Sequence, residues 1–245
     1  MKLLLLGMSG HSKWAQIKRQ KGIVDKKKGQ IFSKLVREIT IAAKQGGNPG
    51  MNYKLRLVLD RAKEAGMQKE AIERAIKRGT GEEEGGTLEE AVYEGYGPFG
   101  TAFLIEAATD NKNRTVNNIK HIFSKHGGVL GTAGSVAWQF VTRGQILVER
   151  SGDDISDIEL AAIDAGAEDV RQSAEGLEIY THPLDLNEIK KKVLDAGGKV
   201  AGAAVIKESA QGVDLTDEQK TKVHELFAEL EEDEDVIFVH TNANL

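Results

Sequence analysis

Apolar residues return every three or four positions in three stretches near the front of the chain. In IFSKLVREITIAAK (31–44) they are Ile31, Phe32, Leu35, Val36, Ile39 and Ala43, with Lys34, Arg37 and Lys44 elsewhere on the helical wheel. NYKLRLVLDRAKEAG repeats the spacing through Leu55, Leu59 and Ala62, and Gly66 is placed to end that helix. QKEAIERAIKRG gives a shorter third helix on Ile72 and Ile76, with Gly79 as its expected stop. The stretch before them, HSKWAQIKRQKGIVDKKKGQ, has only a weak apolar period and is punctuated by Gly22 and Gly29. It reads as a partly disordered basic arm that orders on phosphate.

Beyond residue 80 the period changes. GTGEEEGGT reads as a flexible acidic linker. AVYEGY and TAFLIEAAT then read as strands bounded by GPFG, RTVNNIKHIFSKHGG as a helix ending at Gly127, and GSVAWQF as another strand. From 144 to 209 the order is strand, helix, strand, strand, helix, strand, the βαββαβ pattern of a ferredoxin-like unit. A last helix, TDEQKTKVHELFAELEE, and a last strand, VIFVH, find their cheapest home in the first α/β sheet, which makes the βαββαβ segment an insertion. The expected fold is α+β with three domains. Residues 8–79 form a basic arm plus three helices, 86–142 with 212–243 a discontinuous α/β domain, and 143–211 the inserted ferredoxin-like domain.

Charge sharpens this division. The net charge of −5 conceals two opposed parts, with Lys2 adding one positive charge outside both. From His11 to Arg78 there are 18 Lys and Arg against 6 Asp and Glu, whereas from Gly79 onward there are 14 against 32. A basic module of this density suits a polyanion. A membrane surface would need a coherent apolar face beside the lysines, and the apolar positions here are committed to helix packing. The expected nucleic-acid contacts are Lys13, Lys18, Arg19, Lys21, Lys26, Lys27, Lys28, Lys34 and Arg37. Trp14 either stacks on a base or anchors the arm to the helices.

Candidate chemistry adds little beyond binding. With no cysteine in 245 residues, disulfides, thiolate metal sites and cysteine nucleophiles are excluded, and a reducing cytoplasm is the expected location. MKLLLLG is too short for a signal peptide, and no run of about 20 apolar residues exists. Met8 is the expected start, with residues 1–7 an extension. The six histidines show no metal motif, and GGVLGTAGS lacks the GxxxxGK[ST] phosphate loop. In TDNKNRT, Asp110, Asn111 and Asn113 suit turn and capping duties before a helix beginning at Thr115, and Arg114 is a candidate phosphate contact near that helix start. The acidic run Glu229 to Asp235 ends the last helix against its dipole. If it competes with nucleic acid for the basic domain, removing 231–235 tightens binding at low salt. No catalytic residue, metal site, cofactor or small-molecule substrate is expected, and the oligomeric state stays open.

GHSKWAQIKRQK, GQIFSKLVREI, YEGYGPFG, TDNKNRT and GGVLGTAGSVAW, in that order over about residues 8–140, resemble the hallmarks of the YebC/PmpR family. The resemblance implies a helical N-terminal domain, two α/β domains with one inserted in the other, and no established catalytic residues. It implies a cytoplasmic DNA-binding transcriptional regulator. It also brings in the mitochondrial translational activator of cytochrome c oxidase subunit one, and bacterial members that resemble translation factors acting on stalled ribosomes. Two segments depart from the usual pattern: KGIVDKKKG, which bears on polyanion contact, and GMQKE, which lacks a proline at a helix start. The partner is therefore expected to be DNA or, alternatively, ribosomal RNA on the ribosome. No helix-turn-helix recognition helix can be picked out from the residues alone.

Overall fold

The structure is a computed structural model that describes residues 26–83, 87–150 and 155–245. These residues carry seven α-helices and two antiparallel four-stranded sheets, an α+β fold. They form two compact units, one running to residue 138 and taking in 215–241, the other holding 139–214 and 242–245.

Three helices open the first unit: α1 (Lys26–Ala43), α2 (Tyr53–Glu64) and α3 (Lys69–Thr80). Their shared core is Leu35, Ile39, Ala42 and Ala43 of α1, Leu55, Leu59 and Ala62 of α2, Met67, and Ala75 of α3. Buried Asn52 joins two of them. Its Oδ1 accepts from the Leu55 N–H at 3.1 Å to cap α2, and its Nδ2 donates to the carbonyls of Ala42 and Gly46 at the end of α1.

Helix α1 begins at Lys26, five residues earlier than the apolar pattern suggested, so Gly29 lies inside a helix rather than breaking an arm. Lysine has a good helix propensity, so an apolar repeat underestimates how far such a helix extends. Gly79 does not end α3. The helix continues to Thr80, and Gly81 takes the left-handed C-cap conformation at φ 81°. Gly79 instead lets α1 and α3 approach closely, because a Cβ there would fall on the Thr40 carbonyl oxygen and 2.6 Å from the Ala43 Cβ.

The first sheet is built from β1 (Glu89–Tyr96), β2 (Ala102–Thr109), β3 (Val129–Leu130) and β8 (Val236–Thr241), in the order β3-β1-β2-β8. Helices α4 (Lys112–Lys125) and α7 (Asp217–Glu232) supply Ile119, Phe123, Leu226 and Phe227 to its core, where Phe123 meets Phe103 edge-on at 5.8 Å. The helical layer packs on the sheet as well. Ile41 of α1 joins Leu88, Ala108 and Ile237, and Arg61 of α2 lies over the Phe238 ring at 5.4 Å.

Between β3 and β4 (Phe140–Glu149) the expected strand GSVAWQF is a turn followed by a single 3₁₀ turn at Ala137–Gln139. The cause is Glu94. Its buried carboxylate accepts from the N–H groups of Gly134 at 2.6 Å and of Val136 and Ala137 at 2.7 Å, which takes those groups away from any ladder. Burial would raise this carboxyl, but the three N–H groups overcome it and hold it below the usual glutamate value. Charge-assisted bonds of this kind contribute about 1.5–3 kcal/mol each. Glu94→Ala should therefore speed amide exchange at Gly134, Val136 and Ala137 by more than tenfold, and unchanged exchange would show that the loop holds its shape without the carboxylate.

The second unit adds β5 (Asp169–Gln172), β6 (Gly176–Thr181) and β7 (Lys199–Ser209) to β4, with α5 (Ser156–Asp164) and α6 (Leu186–Asp195). The sheet order β5-β6-β4-β7 is that of a ferredoxin-like fold. Ile146, Val148, Leu177 and Ile179 are buried with Ile158, Ala162, Ile189 and Val193 of the helices. Buried Tyr180 carries Arg171 at 4.3 Å and donates to Glu178, while Arg171 and Arg143 both reach Glu208.

Candidate nucleic-acid interface

The residues expected at the interface fall into three groups. Lys13, Trp14, Lys18, Arg19 and Lys21 lie outside the described residues. The backbones of Lys26, Lys27 and Lys28 form the first turn of α1. Lys34, Arg37 and Arg114 are held inside the first unit.

Asp235 explains the third group. It sits just before β8, its side chain is 4% exposed, and it gathers groups from several elements. Arg114 Nη2 donates to its two oxygens at 3.0 and 2.8 Å, and Arg37 approaches Oδ1 at 3.2 Å. The hydroxyls of Thr115 and Thr109 complete the cluster at 2.7 and 3.3 Å. Arg37 also donates to the Ala108 carbonyl, and Lys34 Nζ to the Glu231 carbonyl at 2.5 Å. Burial lowers the Lys34 ammonium below the ordinary lysine value, against the pull of Glu231 and Asp233. Arg37 and Arg114 therefore tie α1 and α4 to the residue before β8, and Lys34 ties α1 to the end of α7.

Arg114 lies in the first turn of a helix that starts at Lys112, not Thr115, with Asn111 as its cap: the Asn111 side chain accepts from the Arg114 N–H at 3.1 Å. Asp110 accepts from the Arg114 guanidinium at 2.9 Å rather than capping the helix. The acidic run is likewise engaged. Glu229 meets Lys125 and His126, Asp233 meets Asn118, and Asp235 is the buried node. Removing 231–235 would delete that node, so it is a test of folding rather than of competition for nucleic acid. Only the three-dimensional pairing exposes this, since Arg37 and Asp235 are far apart in sequence.

The exposed cations of the helical layer are elsewhere. Lys54 and Arg56 lie on α2, and Lys69, Arg74, Lys77 and Arg78 on α3. Helix α3 follows α2 after the four residues Ala65 to Gln68, with Gly66 in the left-handed region at φ 75°. That connection has the length and the glycine of a helix-turn-helix. The sequence signal was present in EAGMQKE, but amphipathic helices with a glycine between them are too common to be diagnostic.

The motifs YEGYGPFG and GGVLGTAGSVAW meet on the first sheet. Tyr96 Oη and Trp138 Nε1 both donate to the Ser135 carbonyl, at 2.8 and 3.1 Å, beside the Glu94 cradle. Trp138 is 75% exposed. Among the described residues no group of His, Asp and Glu is arranged to hold a metal ion, and no helix is long and apolar enough to cross a membrane.

Comparison with known proteins covers nearly all of this architecture. Residues 12–82 match the model of the TACO1/YebC protein N-terminal domain, and 88–243 that of the TACO1/YebC second and third domain. A probable transcriptional regulatory protein of Thermoanaerobacter pseudethanolicus is 48% identical over 240 residues, covering 97% of this chain and 98% of its own. One of Caldanaerobacter subterraneus is 47% identical over 241 residues, covering 97% and 99%. The crystal structure of a conserved hypothetical protein, Aq1575, from Aquifex aeolicus superposes with a TM-score of 0.84 at 42% identity, over 94% of this chain and 96% of that one.

Proposed function

The chain belongs to the TACO1/YebC family, and from that premise we propose that it is a non-enzymatic, cytoplasmic regulator that binds DNA through its basic helical domain and acts on transcription. The similar proteins of Thermoanaerobacter and Caldanaerobacter are named as probable transcriptional regulatory proteins. The observation that carries the binding mode is the exposed row of cations on α3, which follows α2 after a glycine-containing turn of helix-turn-helix length. In a helix-turn-helix the second helix enters the major groove. Lys13, Trp14, Lys18, Arg19 and Lys21 of the arm, with Lys26, Lys27 and Lys28, are assigned to further contacts with the nucleic acid. Arg37 and Arg114 serve the interface through Asp235, which takes up their charge, and Lys34 through the Glu231 carbonyl that holds it. The proposal assigns the protein no reaction and no cofactor.

Phosphate contacts release counterions, so affinity falls with salt in proportion to their number. Lys26, Lys27 and Lys28 changed together to glutamine should weaken duplex binding and reduce the slope of log K against log salt by up to about 3. Anisotropy titrations across a salt series measure both quantities, and an unchanged slope would remove these lysines from the interface. Crosslinking in cells decides the polymer. Crosslinks from residues 11–45 to promoter DNA support the transcriptional reading. Co-sedimentation with polysomes and crosslinks to ribosomal RNA would replace it with the translational one.

A further inference from the structure

Between α1 and α3, where the α2–α3 turn approaches the sheet, lies a cleft of about 760 Å³. Its floor is apolar: Phe32 and Val36 from α1, Met67 from the turn, Ala71 from α3 and Leu88 from the start of the sheet. Five further lining residues, Ser33, Arg37, Gln68, Arg78 and Asp110, are polar or charged. Ser33 is exposed on α1, Gln68 is exposed before α3 without capping that helix, and Arg78 is exposed in the last turn of α3.

The charges around the cleft are unequal in their commitments. Arg37 lines it but is held by the Ala108 carbonyl and Asp235. Asp110 lines it but is paired with Arg114 at 2.9 Å. Arg78 has no such partner among the described residues, so the net character of the opening is cationic over an apolar floor.

We propose that this cleft receives the base of one unpaired nucleotide, with the adjoining phosphate at Arg78. The inference rests on the nucleic-acid-binding reading and adds to it a preference for a bulged or otherwise unpaired site. The volume lies in the range of small-ligand clefts and accommodates one nucleotide. A paired base cannot enter, because both its faces are stacked and its edge is bonded. An apolar floor gains from burying the weakly hydrated face of a base. Arg74 and Lys77 continue the positive charge along α3 on the side of Arg78, which suits a chain carrying a phosphate at every residue. An acidic peptide has no such regular charge, so the nucleotide is the better match.

The test uses the full chain and two hairpin probes, each made as RNA and as DNA: one fully paired, and one with a single bulged 2-aminopurine. The expected result is about tenfold tighter binding of the bulged probe, within the range of one stacked base, together with a change in 2-aminopurine fluorescence. Comparison of the RNA and DNA probes identifies which polymer supplies the nucleotide. Ala71→Leu, which narrows the cleft, should bring the preference for the bulged over the paired probe to near one. Arg78→Ala should weaken the bulged probe more than the paired one. Thermal melting checks that both variants fold, and the exposed position of Arg78 keeps at least that variant informative. Equal affinity for the two probes, or a preference that survives both substitutions, would overturn the proposal. So would displacement of the bulged probe from the cleft by an acidic leucine-containing peptide at a lower concentration than the unlabelled hairpin requires. Failure of the unaltered protein to bind any probe would refute the nucleic-acid reading itself and the cleft proposal with it, a result distinct from binding without preference.

Discussion

Asp235→Ala is expected to destabilise the first unit by about 3 kcal/mol, the low end of the cost of breaking a buried ion pair. The substitution leaves Arg37 with only the Ala108 carbonyl and removes the acceptor of the Thr109 hydroxyl, while the Thr115 hydroxyl keeps Thr109 and the Asn111 carbonyl. Arg114 is about half exposed and can return to water or to Asp110, which is why the upper end of the range is not expected. Chemical denaturation of the full chain measures the loss, and a cost below about 1 kcal/mol would mean the cluster is replaceable by solvent. A double-mutant cycle with Arg37→Ala separates the helical layer's share, since residues in one network couple.

The same node makes a prediction about pH. Burial raises the Asp235 carboxyl, but the bonds from Arg114 and Thr115 and the charge of Arg37 outweigh it and hold the group below its ordinary value of 3.8. The folded state thus binds this proton more weakly than the unfolded state does. Its stabilisation is complete above the unfolded value and is lost as pH falls below 3.8 through the lower folded value. Glu38 runs the other way. Burial, only partly opposed by Arg61, holds it above its usual 4.5, so its protonation adds stability as pH falls from the raised folded value towards 4.5. Asp235→Asn should flatten the acid side of the stability curve below 3.8 and leave the Glu38 contribution unchanged.

Gly79→Ala is expected to be destabilising by about 1–3 kcal/mol, the cost of overpacking a tight contact. Helix propensity alone predicts the opposite sign, a gain of about 1 kcal/mol at a helix interior. The contact decides the outcome, because the new methyl would meet the Thr40 carbonyl oxygen and the Ala43 Cβ, both on α1. Neither is the end of a flexible side chain, so α1 and α3 would have to separate, weakening the packing of Ile39, Ala43 and Ala75. A urea titration of the variant gives the sign directly, and a neutral or stabilising result would show that the two helices can part without loss.

Gly79 and Gly81 illustrate what could be read in advance. Both follow an apolar helical repeat, and either satisfies the rule that glycine ends helices. Only the partner helix shows that one is a packing position and the other the cap. The segment 134–140 is similar: its apolar composition suits a strand, but Glu94, some forty residues earlier, takes its N–H groups. At the candidate interface, the sequence located the basic domain but could not separate Arg37, whose charge is balanced by Asp235, from the exposed Arg78.

What the sequence determined by itself were the local and additive properties. The helices and most strands follow from residue spacing, the α+β class from the order of those elements, and the basic front from counting charge. The tertiary structure decided which charges remain available. Whether a lysine or arginine can meet a phosphate depends on whether a carboxylate or carbonyl from a distant element already holds it. That pairing is a property of distances in space that no local pattern encodes.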